Sequence, residues 1–209
     1  MQFAIWEPIY QSILQDFGFS PGRDVDAAKL LAELLRDREP MLYAAEAIVA
    51  GHRAVVCGNA PSLEAELGGL KERDAVFLAA DGATSVLLRN GIVPAIVVTD
   101  LDGPFPAILK ANQMGSLVVV HAHGDNLDAL NRYVPLLERI IGTVQCRPPP
   151  GLYNFGGFTD GDRCVFLAKE LGAASIKLVG FDFEDESVTP RKKRKLEWAK
   201  RLIVQALAR

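Results

Sequence analysis

From Arg53 onward the chain alternates short runs rich in β-branched residues with stretches of helical periodicity, and no other feature narrows the choice of fold as far. Six such runs stand at 53–57, 75–80, 95–99, 117–121, 142–146 and 175–179. Short apolar strands alternating with helices build a parallel sheet with crossover helices, because both faces of the sheet are then covered. The pattern predicts an α/β fold over residues 51–209: an open, mostly parallel sheet of about six strands with flanking helices, Rossmann-like in outline. Residues 1–50 read instead as a small N-terminal helical subdomain, with helices over Trp6–Phe17 and from Asp24 through Leu35, and with Asp24 or Asp26 placed to cap the second.

The 209 residues are 49% hydrophobic, enough for a substantial core, and the formal net charge of −3 offers no electrostatic footprint for nucleic acid or an anionic membrane. A small ligand is the better expectation. Three cysteines without C-x-x-C spacing argue against a disulfide framework or a zinc knuckle. The first residues lack the basic and apolar regions of a secretory signal, and no long apolar stretch occurs, so a cytoplasmic protein is expected.

The unusual residues follow the strands. In an open parallel sheet, ligands bind beyond the carboxyl ends of the strands, where turn amides and helix N-termini converge. Asp81, Asp100, Asp102, Asp125 and Asp182 all fall there. Any one of them suits a turn or a cap, but several on one rim would repel one another unless a cation neutralised them. Mg²⁺, completed by substrate phosphates, fits such a rim. Asp100-Leu101-Asp102-Gly103 is the sharpest element, with Leu101 letting both carboxylates fall on one side and Gly103 permitting close backbone approach. Gly58-Asn59-Ala60-Pro61-Ser62 reads equally as an ordinary strand-to-helix turn capped by Ser62 or as an anion-binding turn; it is neither a P-loop nor a dinucleotide fingerprint. His121-x-His123-x-Asp125 resembles a chelating strand end, yet with His52 the only other histidine, a zinc hydrolase lacks ligands, and phosphate contact by His123 or metal ligation by Asp125 fits better.

Between Gly151 and Arg163, aromatics, glycines and aspartates precede an apolar helix from Cys164 to Leu171. The segment suits a long loop with Thr159 or Asp160 as helix cap, or a pocket in which Tyr153, Phe155 or Phe158 stacks on a flat heterocycle. Candidate contacts for such a ligand are Asn154, Phe158, Thr159, Asp160, Arg163 and Asp182. The basic run Arg191–Lys195 opens a C-terminal helix, where the dipole disfavours cations, which singles out Lys192 and Lys195 for phosphate.

Taken in order, CGNAPSL, ADGA, IVVTDLDG, HAHGDN, GFTDGDR and GFDF closely resemble the archaeal-type 6-hydroxymethyl-7,8-dihydropterin pyrophosphokinases, from about Trp6 to the C-terminus. The resemblance implies ATP and a pterin alcohol as substrates, AMP as a product and Mg²⁺ as the required ion. Asp100 and Asp102 would hold it, with Asp81 and Asp125 as further ligands or as the base, and Gly58, Asn59, Ser62, His123, Lys192 and Lys195 would meet the nucleotide. The ADGA to TDLDG portion is also similar to thiamine pyrophosphokinases, but Thr99 and Gly103 depart from their metal motif. GNAPSL with a D-x-D pair also resembles some nucleotide-sugar glycosyltransferases, and a non-catalytic nucleotide-binding module is the third reading. A homodimer could complete the pocket.

Overall fold

The computed structural model describes residues 2–71 and 74–208. Six strands, β1 Arg53–Cys57, β2 Val76–Ala80, β3 Ile96–Thr99, β4 Leu117–Ala122, β5 Ile140–Val144 and β6 Ser175–Val179, form one sheet in the order β5-β4-β3-β2-β1-β6. Every pairing is parallel. The fold class is the expected one. The fifth strand, however, begins at Ile140 instead of residue 142 and ends before Gln145 and Cys146. Those two leave the ladder because their carbonyls are taken elsewhere: Trp6 Nε1 donates to the Gln145 carbonyl at 2.8 Å, and Asn154 Nδ2 donates to the carbonyls of Gln145 and Cys146 at 3.1 and 3.2 Å.

Helices α1 Phe3–Phe17, α2 Pro21–Leu34 and α3 Leu42–Val49 precede the sheet. Trp6, Ile13 and Leu31 are fully buried in the same hydrophobic cluster as the strand residues. Helix α2 lies against β4 and β5. It starts at Pro21, whose fixed φ and missing N–H suit a first helical position, so neither Asp24 nor Asp26 caps it. Asp24 lies one turn further in, buried, and accepts hydrogen bonds from Tyr10 Oη at 2.6 Å, Gln145 Nε2 at 2.8 Å and the Gly124 amide at 2.9 Å. Asp26 stays on the surface, 3.8 Å from Lys29.

Short helices α4 Leu63–Gly68, α5 Ala83–Arg89, α6 Phe105–Gln113 and α7 Leu127–Tyr133 follow the first four strands. After β5 the chain returns through α8 Asp160–Glu170, which packs on β1, β2 and β3 and reaches β6 on the far side of β1. The direction of winding therefore reverses beside β1, and α8 delivers its N-terminus to the carboxyl edge of the sheet. Helix α9 Pro190–Leu207 packs on α8.

The turns after β1 and β6 are pressed together. A Cβ on Gly58 would stand 2.5 Å from the Gly180 carbonyl oxygen and 3.1 Å from the Phe181 ring. Gly58→Ala is expected to destabilise the protein by about 1–3 kcal/mol through overpacking, lowering the melting temperature by several degrees in a calorimetric scan.

Candidate metal and nucleotide site

Two of the strand ends and the start of α8 build one acidic cluster. Asp81, just past β2, adopts φ 39°, and its Oδ1 accepts a 2.5 Å hydrogen bond from Thr99 Oγ1 at the end of β3. Thr99 Oγ1 in turn accepts from the Leu101 amide at 2.8 Å. Leu101, at φ 69°, buries its side chain, and the turn leaves Asp100 and Asp102 adjacent, with the Asp102 amide 3.2 Å from Asp100 Oδ1. Two non-glycine residues with positive φ store strain at the same turn pair, as functional sites often do. Gly103 is indispensable to the packing: a Cβ there would fall 1.6 Å from Asp81 Oδ2.

Ligand atoms of Asp81, Asp100 and Asp160 all lie within 4.8 Å of one another. Asp160 Oδ1 is buried without a hydrogen-bond partner, and the nearest cation is Arg163 Nη1 at 4.0 Å. An all-oxygen set with an unsatisfied carboxylate fits a hard divalent cation such as Mg²⁺. Asp160, expected from the sequence to contact the ligand, joins Asp81 and Asp100 in this group, and Asp102 stands on its solvent side and shares a hydrogen bond with the Asp100 carboxyl.

The electrostatics follow from this crowding. Burial, followed by the charge of Asp100, pushes Asp160 well above the usual carboxylate range. Burial also raises Asp81. Partial desolvation and the neighbouring Asp100 charge push Asp102 up to about 6. For Asp100 burial acts upward as well, but hydrogen bonds with His123 and Asp102 and the charge of Arg163 outweigh it and hold the group low.

His123 Nδ1 accepts from the Asp125 amide at 3.3 Å, so the ring proton sits on Nε2, which donates to Asp100 Oδ2 at 3.3 Å. His123 thus orients a carboxylate. His121 is buried behind it, and burial holds its imidazole well below the usual range, hence neutral. Arg163, also buried, donates from Nη2 to Gln145 Oε1 at 3.3 Å, which links the cluster to Asp24 through Gln145. Asp24, Gln145 and Arg23 were not among the site residues expected from sequence, which offered Asp24 only as a helix cap.

Beside Asp100 opens a 220 Å³ cleft lined by Phe19, Arg23, His123, Phe158, Arg191 and Lys195 among others. Lys195 Nζ stands 5.9 Å from the centre of the Phe158 ring, and the Arg191 guanidinium lies 5.5 Å from that of Phe19. The start of α9 therefore does bring cations to the site, through Arg191 and Lys195, while Lys192 lies exposed outside the lining. Asn59 reaches over Gly82, next to Asp81, whereas Gly58 is buried against Gly180. Ser62 adopts a helical conformation and its side chain caps nothing, since the chain has already turned at Ala60, whose carbonyl accepts from the Leu63 amide.

Other expected residues are spent on the scaffold or stand apart. Asn154 is buried, and its Oδ1 accepts from Gly156 while its amide nitrogen holds the strand-end carbonyls. Thr159 caps α8 through Asp162, one of its two expected roles. Asp125 is exposed and paired with Arg23 Nη1 at 3.1 Å, and Asp182 is exposed beyond β6, accepting from the Glu184 amide at 3.0 Å. The five-aspartate rim reduces to Asp81, Asp100 and Asp102, with Asp160 added.

A parallel α/β sheet that gathers carboxylates at its carboxyl edge, beside a cleft of cations and aromatic rings, defines a ligand-binding protein of the doubly wound class with a site suited to a cation and an anionic partner. Residues 28–187 match the profile of the 6-hydroxymethylpterin diphosphokinase MptE-like family, and the chain belongs to that family. It is 45% identical to the 6-hydroxymethyl-7,8-dihydropterin pyrophosphokinase of Methanothermobacter thermautotrophicus, over 97% of this chain and 94% of the relative. Enzymes of the same name from Pyrococcus furiosus and Methanocaldococcus jannaschii are 44% and 36% identical, over 88% and 97% of this chain and 79% and 95% of theirs. Among solved structures, the MAf glycosyltransferase from Magnetospirillum magneticum AMB-1 superposes with a TM-score of 0.49 at 15% identity, over 78% of this chain and 29% of that one. No helix among the described residues is long and apolar enough to cross a membrane.

With no cation bound, the raised carboxyls of Asp81, Asp102 and Asp160 favour folding while they stay protonated, and that contribution is lost as pH rises through their folded-state values. Under chelator the protein is expected to melt higher at about pH 5 than at about pH 8, and added Mg²⁺ should raise the melting temperature more at the higher pH. A Mg²⁺ effect of equal size at both would contradict the ligand set.

Proposed function

We propose that the chain transfers the terminal diphosphate of ATP to the hydroxymethyl group of 6-hydroxymethyl-7,8-dihydropterin and releases AMP. The observation that carries this reading is the convergence of Asp81, Asp100 and Asp160 within 4.8 Å beside a cationic, aromatic-lined cleft. The names of the relatives supply the acceptor and the diphosphate. Mg²⁺ held by Asp81, Asp100 and Asp160 supplies charge neutralisation and orientation of the polyphosphate. Arg23, Arg191 and Lys195 meet the phosphate oxygens, and Asn59 approaches from the turn after β1. The acceptor oxygen forms a bond to the β-phosphorus as the bond from that phosphorus to the AMP oxygen breaks. Asp102, at the solvent edge beside Asp100, is the carboxylate left to accept the hydroxyl proton. Three buried, unpaired cysteines suit a reducing compartment, and we place the enzyme in the cytoplasm.

Purified protein with ATP, Mg²⁺ and the pterin alcohol should form AMP only when all three are present; formation of ADP instead would overturn the reading. Asp100→Asn should lower kcat by on the order of a hundredfold or more. Lys195→Ala should raise the KM for ATP several-fold with a smaller change in kcat, about 1 kcal/mol of binding.

A further inference from the structure

Between the sheet and α8 lies a second, smaller space, lined by Val98, His121, Thr143, Phe155, Arg163 and Leu167 among others. Two buried polar atoms of its lining residues lack any partner: Nε2 of His121, a residue 2% exposed, and Nε of Arg163, 7% exposed. Buried donors and acceptors are seldom left unpaired unless a ligand or water completes them.

The proton positions can be assigned. Thr143 Oγ1 donates its single proton to the Val120 carbonyl at 3.1 Å, so toward His121 Nδ1, 3.2 Å away, the hydroxyl oxygen can only accept. The imidazole proton therefore sits on Nδ1, and Nε2 is a bare acceptor. Arg163 Nε–H is a donor. One small space thus offers one acceptor and one donor, the complement of a cyclic amide edge, whose ring N–H donates and whose carbonyl accepts.

As it stands the space measures 10 Å³, room for about one water. Phe155 also lines a 390 Å³ cavity on the flank of the molecule, beside Phe3, Leu42 and Tyr153. It stacks on Tyr153 with ring centres 5.8 Å apart. Phe155 thus lines both spaces, and Arg163 lines both the inner space and the cleft that contains Asp100.

From this we infer that the inner space is the acceptor's recognition pocket, which a flat heterocycle enters past Phe155 and where its lactam edge bonds His121 Nε2 and Arg163 Nε. The inference rests on the acceptor proposed above. It makes His121 a specificity residue that has no part in holding the cation or the polyphosphate.

The test is a fluorescence titration of the full chain with the pterin alcohol in the absence of ATP, comparing wild type, His121→Leu and His121→Gln, and repeated with the 2,4-diamino analogue, in which the lactam is lost. Leucine should weaken pterin binding at least about tenfold, and glutamine, which can place an amide oxygen near the Nε2 position, should recover most of it. Wild type should prefer the pterin to the diamino analogue by a similar factor, and His121→Leu should lose that preference. Equal affinity of folded wild type and His121→Leu would overturn the inference and leave the space to a structural water. Should His121→Leu fail to fold, the glutamine variant and the analogue comparison in wild type still decide, with absence of discrimination counting against it. Wild type that binds the pterin with this discrimination yet forms no AMP would sink the proposed reaction alone; failure to bind it would sink both.

Discussion

Mutual repulsion among carboxylates is the constraint around which the acidic edge of the sheet is arranged. Asp81, Asp100 and Asp160 come from β2, β3 and α8, and their oxygens stand closer than unscreened anions tolerate. The fold holds them there with rigid parts: Thr99 pins Asp81, His123 pins Asp100, and the first turn of α8 carries Asp160. Without a cation the cluster takes up protons, so the same burial that disfavours ionisation sharpens affinity for a divalent ion.

Much of the fold was legible because parallel strands announce themselves as apolar runs, and the strands other than β5 were placed to within a residue or so. The error at β5 arose where Gln145 and Cys146 resemble strand residues but lend their carbonyls to Trp6 and Asn154, a partnership across more than a hundred residues in the first case. Periodicity cannot register that. The D-x-D turn was readable for a local reason, since its geometry lies within four residues. The meeting of Asp160 with Asp81 and Asp100 could not be read locally, because it depends on where α8 crosses the sheet. Asp125 and Asp182 sit after strands, as expected, but the pairing of Asp125 with Arg23 and the edge position of β6 take them out of the cluster.

Arg163 and Gln145 join what would otherwise be separate devices. Arg163 approaches Asp160 on one side, Gln145 on another, and lines both the open cleft and the smaller space. A buried guanidinium with so many roles tolerates no lysine, whose single nitrogen cannot reach several partners in one plane. The aromatic residues divide similarly: Phe158 packs with Phe17 and Phe19 beneath the cations of α9, and Phe155 stacks with Tyr153 on the other flank.

Asp24 ties together positions 10, 124 and 145, sequence separations of 14, 100 and 121 residues. On a ribosome, helices α1 and α2 emerge long before the loops they must grip, so this carboxylate waits for most of the chain to be synthesised. The hydrogen bond from the Gly124 amide to Asp24, in the turn after β4, closes a loop of 100 residues, so it forms against a loop-closure cost that local contacts do not carry. A chain that ended before α8 would carry five of the six strands and would lack Asp160.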